Sequence, residues 1–119
     1  MITEPVNLIL AASILFIALL FVALGIPLMK RKVKMNNVYG IRFKKSYESE
    51  AAWYDINVYG GRVLTYCAIP LALLGIMSLY IDFDSSPTVA LVVALSPALV
   101  VIVGGGLAWK YAKEYSDDE

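Results

Sequence analysis

The run Val6–Met29, VNLILAASILFIALLFVALGIPLM, carries no charged residue, and nothing else in the chain restricts the fold as strongly. A helix needs about 20 apolar residues, at about 1.5 Å each, to cross roughly 30 Å of hydrocarbon. The run meets that length. The residues before it, MITEP, include an acid and no Lys or Arg, and no small-x-small cleavage site follows it. It is also longer than the apolar core of a secretory signal, so it reads as a retained membrane helix. Gly25 and Pro27 stand near its far end, where a kink or a helix stop costs least.

Two further apolar runs, Gly61–Tyr80 and Thr88–Trp109, read as the second and third spans. Pro70 and Pro97 each remove a hydrogen bond near mid-span and are expected to kink the helix. Gly75, Ser78 and the triplet Gly104–Gly106 suit close helix packing. The triplet is no phosphate loop, because it lies inside an apolar run with no Lys-Ser/Thr after it. Composition agrees: 60% of the 119 residues are hydrophobic and 17% charged, against roughly a quarter charged in soluble domains. The single cysteine, Cys67, excludes an internal disulfide and reads as a small buried hydrophobe. With no histidine and no acid–base or metal constellation, neither catalysis, a metal nor a cofactor is expected.

Between the first two spans lies the one long polar segment, residues 30–60. Lys30, Arg31, Lys32, Lys34, Arg42, Lys44 and Lys45 supply seven of the ten Lys and Arg residues. Positive residues beside a membrane helix stay on the cytoplasmic side. For Lys30–Lys34, setting topology and touching anionic headgroups is explanation enough. Arg42 differs, because it ends the element Asn36-Asn37-Val38-Tyr39-Gly40-Ile41-Arg42. The Asn-Asn and Tyr-Gly pairs there signal a tight turn, with Gly40 free to take a positive φ.

Ser46–Tyr59 then reads as a short amphipathic helix at headgroup level, with Ser46 as N-cap and Glu48 and Glu50 in the first turn. Trp53, Ile56, Asn57 and Gly60 share one face; Ala52, Asp55 and Tyr59 share another. Trp53, Tyr54 and Tyr59 also fit plain interface anchors. Asn57 and Arg62 stand at the entry to the second span, where an unpaired polar group costs several kcal/mol. Arg62 is placed to snorkel to the headgroups or to pair with Asp55 or a ligand.

The turn Ile81–Pro87 is acidic and lacks Lys and Arg, whereas Trp109–Lys113 is a basic exit followed by an acidic, frayed tail at 114–119. One topology satisfies all of this: N-terminus outside, basic loop inside, acidic turn outside, C-terminus inside. The expected fold is an all-α membrane protein, a single bundle of three transmembrane helices with a short cytoplasmic-side amphipathic helix between the first and second. A homo-oligomer is compatible with so small a bundle, and nothing suggests nucleic acid as a partner.

The segment PLMKRKVKMNNVYGIRFKKSYESEAAWYDINVYGGR resembles the SdpI-like family of small bacterial membrane proteins. That family is named for an immunity protein against a secreted killing peptide. Its pattern is a proline closing the first span, a basic patch, Asn-x-x-Tyr-Gly-x-Arg, then Ser-x-x-x-Trp with an Asn and a Gly. Pro27, Asn36 or Asn37, Tyr39, Gly40, Ile41, Arg42, Ser46, Ser49, Trp53, Asn57 and Gly60 supply those features here. The resemblance covers the first two-thirds of the chain by motif, and the third span only by hydropathy. It implies a plasma-membrane binding protein that engages a toxic peptide in the bilayer, or holds a cytoplasmic regulator at the basic loop. Asn36, Asn37, Tyr39, Gly40, Arg42, Trp53, Asn57 and Arg62 are the candidate binding residues, expected in one cytoplasmic-side cluster. The competing reading is a small transport or lipid-interacting protein, with Asp55, Asn57 and Arg62 lining a polar pocket between Pro-broken helices.

Overall fold

The computed structural model describes residues 4–115. Three helices account for most of them: α1 (Pro5–Met29), α2 (Glu50–Met77) and α3 (Pro87–Glu114). Each is long and apolar enough to cross a membrane. The described chain is elongated, 55 × 23 × 22 Å, so its long axis exceeds the roughly 30 Å hydrocarbon thickness. Most side chains on the spans face outward, among them Phe16, Leu19, Leu73, Leu99 and Ile102. In lipid that is no penalty, since association there depends on packing rather than on apolar burial.

α1 and α2 pack along their length, while α3 leans mainly on α2. Two glycines set the α1–α2 crossing. A Cβ on Gly61 would sit 2.5 Å from the Gly25 carbonyl oxygen and 2.7 Å from the Met29 nitrogen. Further along, Gly75 admits the Leu15 side chain. Ile14, Ala18, Ala68, Leu71, Phe83 and Val93 form the core between these helices. At the end opposite the basic loop, buried Asn7 donates to the Ser78 and Ile81 carbonyl oxygens, both at 2.7 Å. Those carbonyls lie at the α2 C-terminus, where the helix leaves acceptors unmatched.

The all-helical architecture with three spans is as the sequence predicts, but the separate amphipathic helix is not formed. Residues 44–47 make one 3₁₀ turn (Lys44–Tyr47), and α2 then runs unbroken from Glu50 into the bilayer-length segment. The N-cap is Ser49, not Ser46: the Ser49 Oγ accepts from the Ala52 amide at 2.9 Å. Ser46 is instead buried in the 3₁₀ turn. The expected amphipathic helix and second span, divided near Gly60-Gly61, run as one helix for a physical reason. Both glycines are packing surfaces, Gly60 against Ile41 and Gly61 against Gly25, so the pair joins the two halves. Pro27, Pro70 and Pro97 all lie inside helices. α3 extends through Glu114, and the rest of the acidic tail, residues 116–119, lies outside the described residues.

Candidate functional site

The loop from Val33 to Phe43 is held by side chains, because it has no strand or helix of its own to satisfy its backbone. Asn36 shapes its first half. Its Oδ1 accepts from the Val38 and Tyr39 amides at 2.8 and 2.7 Å, a turn closed by the side chain. Its Nδ2 donates to the carbonyls of Lys34 at 2.7 Å and Tyr39 at 3.0 Å. Every hydrogen-bonding direction of that amide is engaged. Gly40 then takes φ +128°, which an L side chain rarely adopts. A Cβ there would lie 2.8 Å from Asn57 Oδ1 and 3.0 Å from the Trp53 ring.

α2 supplies the anchor. Buried Asn57 accepts the Ile41 amide at 2.6 Å and donates to the Trp53 carbonyl at 2.8 Å, with the Ile41 carbonyl at 3.5 Å. Trp53 is fully buried, and its indole N–H donates to the Val33 carbonyl at 2.9 Å. Tyr47 leans on the Trp53 ring, centroids 5.5 Å apart, and donates to the Asn36 carbonyl at 2.8 Å. Tyr39 reaches back to α1, where its hydroxyl donates to the Leu24 carbonyl. Burial pushes that phenol above its ordinary range.

Five of the eight candidate residues therefore come together: Asn36, Tyr39, Gly40, Trp53 and Asn57 are the scaffold. Asn37 and Arg42 lie on the exposed rim, with Arg42 Nη1 donating to the Asn37 carbonyl. Val38, at 85% exposure, projects beside them. Arg62 stands apart, exposed on α2 and bonded to none of this cluster among the described residues. It does not pair with Asp55 either. The Asp55 carboxylate takes Arg31 at 3.2 Å and the Tyr115 hydroxyl at 2.7 Å. That clamp, with Tyr59 stacked on Tyr111 at 4.3 Å, ties the basic-end termini of all three helices together.

Arg31 and Tyr115 were not singled out by the sequence reading. Arg31 looked like one more topology charge, and Tyr115 lay in a tail read as frayed. A positive φ of 59° at Arg31 marks the turn that aims it at Asp55. The buried Ser46 hydroxyl is a further surprise, having no hydrogen-bond partner among the described residues.

A tri-helical membrane protein whose inter-span loop is pinned to the second helix by a buried Asn and Trp is the class defined by this geometry. The sequence model of the SdpI/YfhL protein family matches residues 32–105, more than half of the chain, and the protein belongs to that family. No curated protein and no solved structure matches it.

Proposed function

We propose that this protein is an immunity-type binding protein of the bacterial plasma membrane. The basic loop and C-terminus face the cytoplasm, the N-terminus faces outside, and the rim formed by Asn37, Val38 and Arg42 is the contact surface. The partner is a membrane-active toxic peptide, a cytoplasmic regulator held at the loop, or each in turn. One observation carries the reading: a loop that only set topology would not require Asn36, Trp53 and Asn57 to fix its backbone. Fixing it holds Arg42 out in one orientation, and a pre-ordered surface loses less entropy on binding. A polar transport path has weaker support. Asn57 and Asp55, two of the three residues it needs, are engaged with the loop, Arg31 and Tyr115.

The experiment is a sensitivity assay in a bacterium killed by a secreted membrane-active peptide. Wild type, Arg42→Ala and Trp53→Ala are compared at matched membrane levels. Protection by wild type, lost in Arg42→Ala and in Trp53→Ala, is the expected result. Equal protection by all three would remove the loop from the function. No protection by wild type would remove the immunity role against that peptide.

A further inference from the structure

We infer that the outer face of the α1–α2 pair holds one anionic phospholipid, its phosphate on Arg62 and an acyl chain in the groove below. The groove is shallow and open to the surroundings, has a volume of about 430 Å³, and is lined almost wholly by apolar surface. That size falls within the roughly 300–1,000 Å³ typical of small-molecule sites. Its floor is small, Ala18 and Ala68, and its walls are Leu15, Tyr66 and Ile69. Thr65 also lines it, with its hydroxyl turned back to the Gly61 carbonyl at 2.8 Å, so the surface presented is its methyl. The Gly25–Gly61 contact closes the helices together at the basic end.

Arg62 precedes Thr65 and Tyr66 by three and four positions, so it stands on the same face one turn nearer the basic end. It is exposed, and among the described residues no carboxylate lies within ion-pair distance of it. A guanidinium one helical turn beyond an apolar groove, on the same helix face, fits a phosphate with a chain attached, because Arg binds phosphate oxygens in pairs. Its aliphatic stem lets the charge reach the headgroup level. Basic pockets between membrane helices are established sites for anionic headgroups. Charge also separates this occupant from a second copy of the chain. Copies inserted alike would bring their own Lys- and Arg-rich ends alongside Arg62, placing like charges together. This site is separate from the loop surface and does not depend on the immunity reading.

The test is native mass spectrometry of the full chain in detergent, titrated with phosphatidylglycerol and, in parallel, phosphatidylcholine. Wild type is expected to retain one phosphatidylglycerol at least about fivefold more tightly than phosphatidylcholine, the effect of one cation at a membrane surface. Arg62→Gln is expected to erase that preference, while Lys110→Gln, an equal charge change on α3, keeps it. Ala72→Phe, which fills the half-buried groove wall, is expected to weaken both lipids. Equal loss in Lys110→Gln would reduce the effect to overall charge and overturn the site. So would an absent headgroup preference in wild type, or an Ala72→Phe variant that binds both lipids as wild type does while its oligomeric state changes.

Discussion

Asn57 stands in for a neighbouring strand: its amide meets the backbone N–H of Ile41 as a β-partner would, from a helix. Removing it leaves the part-buried Ile41 amide without its acceptor, while the Trp53 carbonyl keeps its place in the helix ladder. Asn57→Ala is therefore expected to cost about 1–3 kcal/mol, read as a lower thermal midpoint of the detergent-solubilised protein. Asn57→Asp keeps the acceptor, loses the donor and adds a buried charge, so it should be worse at neutral pH. Gly40→Ala should cost more than about 1 kcal/mol, because both the positive φ and the 2.8 Å approach to Asn57 oppose a Cβ. Asp55→Asn is the contrasting case. Its ion pair with Arg31 is half exposed, 51% and 39%, so a change of about 0–1 kcal/mol is expected. These differences track what the sequence could and could not reveal. Gly40, Trp53 and Asn57 were legible because turn chemistry and a lone amide on an apolar face are local signals. The partner of Asp55 was not, because Arg31 reaches it across the helix crossing while Arg62 merely shares its helix.

Among the elements, the α1–α2 crossing is the least forgiving. A Cβ at Gly61 meets backbone atoms of α1, which cannot rotate away, so Gly61→Ala should force the helices apart and lower the midpoint by the equivalent of about 1–3 kcal/mol. Gly105 has nothing within 4 Å of its added Cβ, and Gly105→Ala should be neutral or slightly stabilising, within about 1 kcal/mol. The sequence marks Gly75 and Gly104–Gly106 alike as packing surfaces, gives no such sign at Gly61, and cannot rank any of them. The same blindness divides an amphipathic helix ending at Tyr59 from a span beginning at Gly61, where contact with Ile41 and Gly25 keeps α2 continuous. At the opposite end, the Ser85 hydroxyl hydrogen bond, at 2.6 Å, outweighs desolvation and holds the Asp82 carboxyl below its ordinary range. A folded pKa lowered in this way gives stability that is present above the ordinary carboxylate pKa of about 4 and lost as pH falls through the lower folded value. In Ser85→Ala, an NMR titration should find the Asp82 pKa moved upward.

For the whole molecule, charge distribution is the organising fact. Every Lys and Arg lies between α1 and α2, in the first half of α2 (Arg62) or in the last two turns of α3 (Lys110 and Lys113), while Glu4, Asp82 and Asp84 occupy the other end. The proposed orientation predicts a labelling pattern in a Cys67→Ser background. An impermeant maleimide should label Asp84→Cys in intact cells, and Lys45→Cys only after the membrane is opened; the reverse pattern would invert the topology. Three spans and their common basic end were legible from hydropathy and charge alone, since both depend on composition rather than contact. That the loop is a folded part of the bundle, rather than a tether between spans, depends on contacts between positions far apart in sequence. Hydrogen–deuterium exchange at the Val38, Tyr39 and Ile41 amides tests that claim most directly. Slow exchange in wild type, with the Ile41 amide released in Asn57→Ala, is the predicted result. Exchange of all three at the rate of an open chain in wild type would contradict it, and with it the fixed surface on which the proposed function rests.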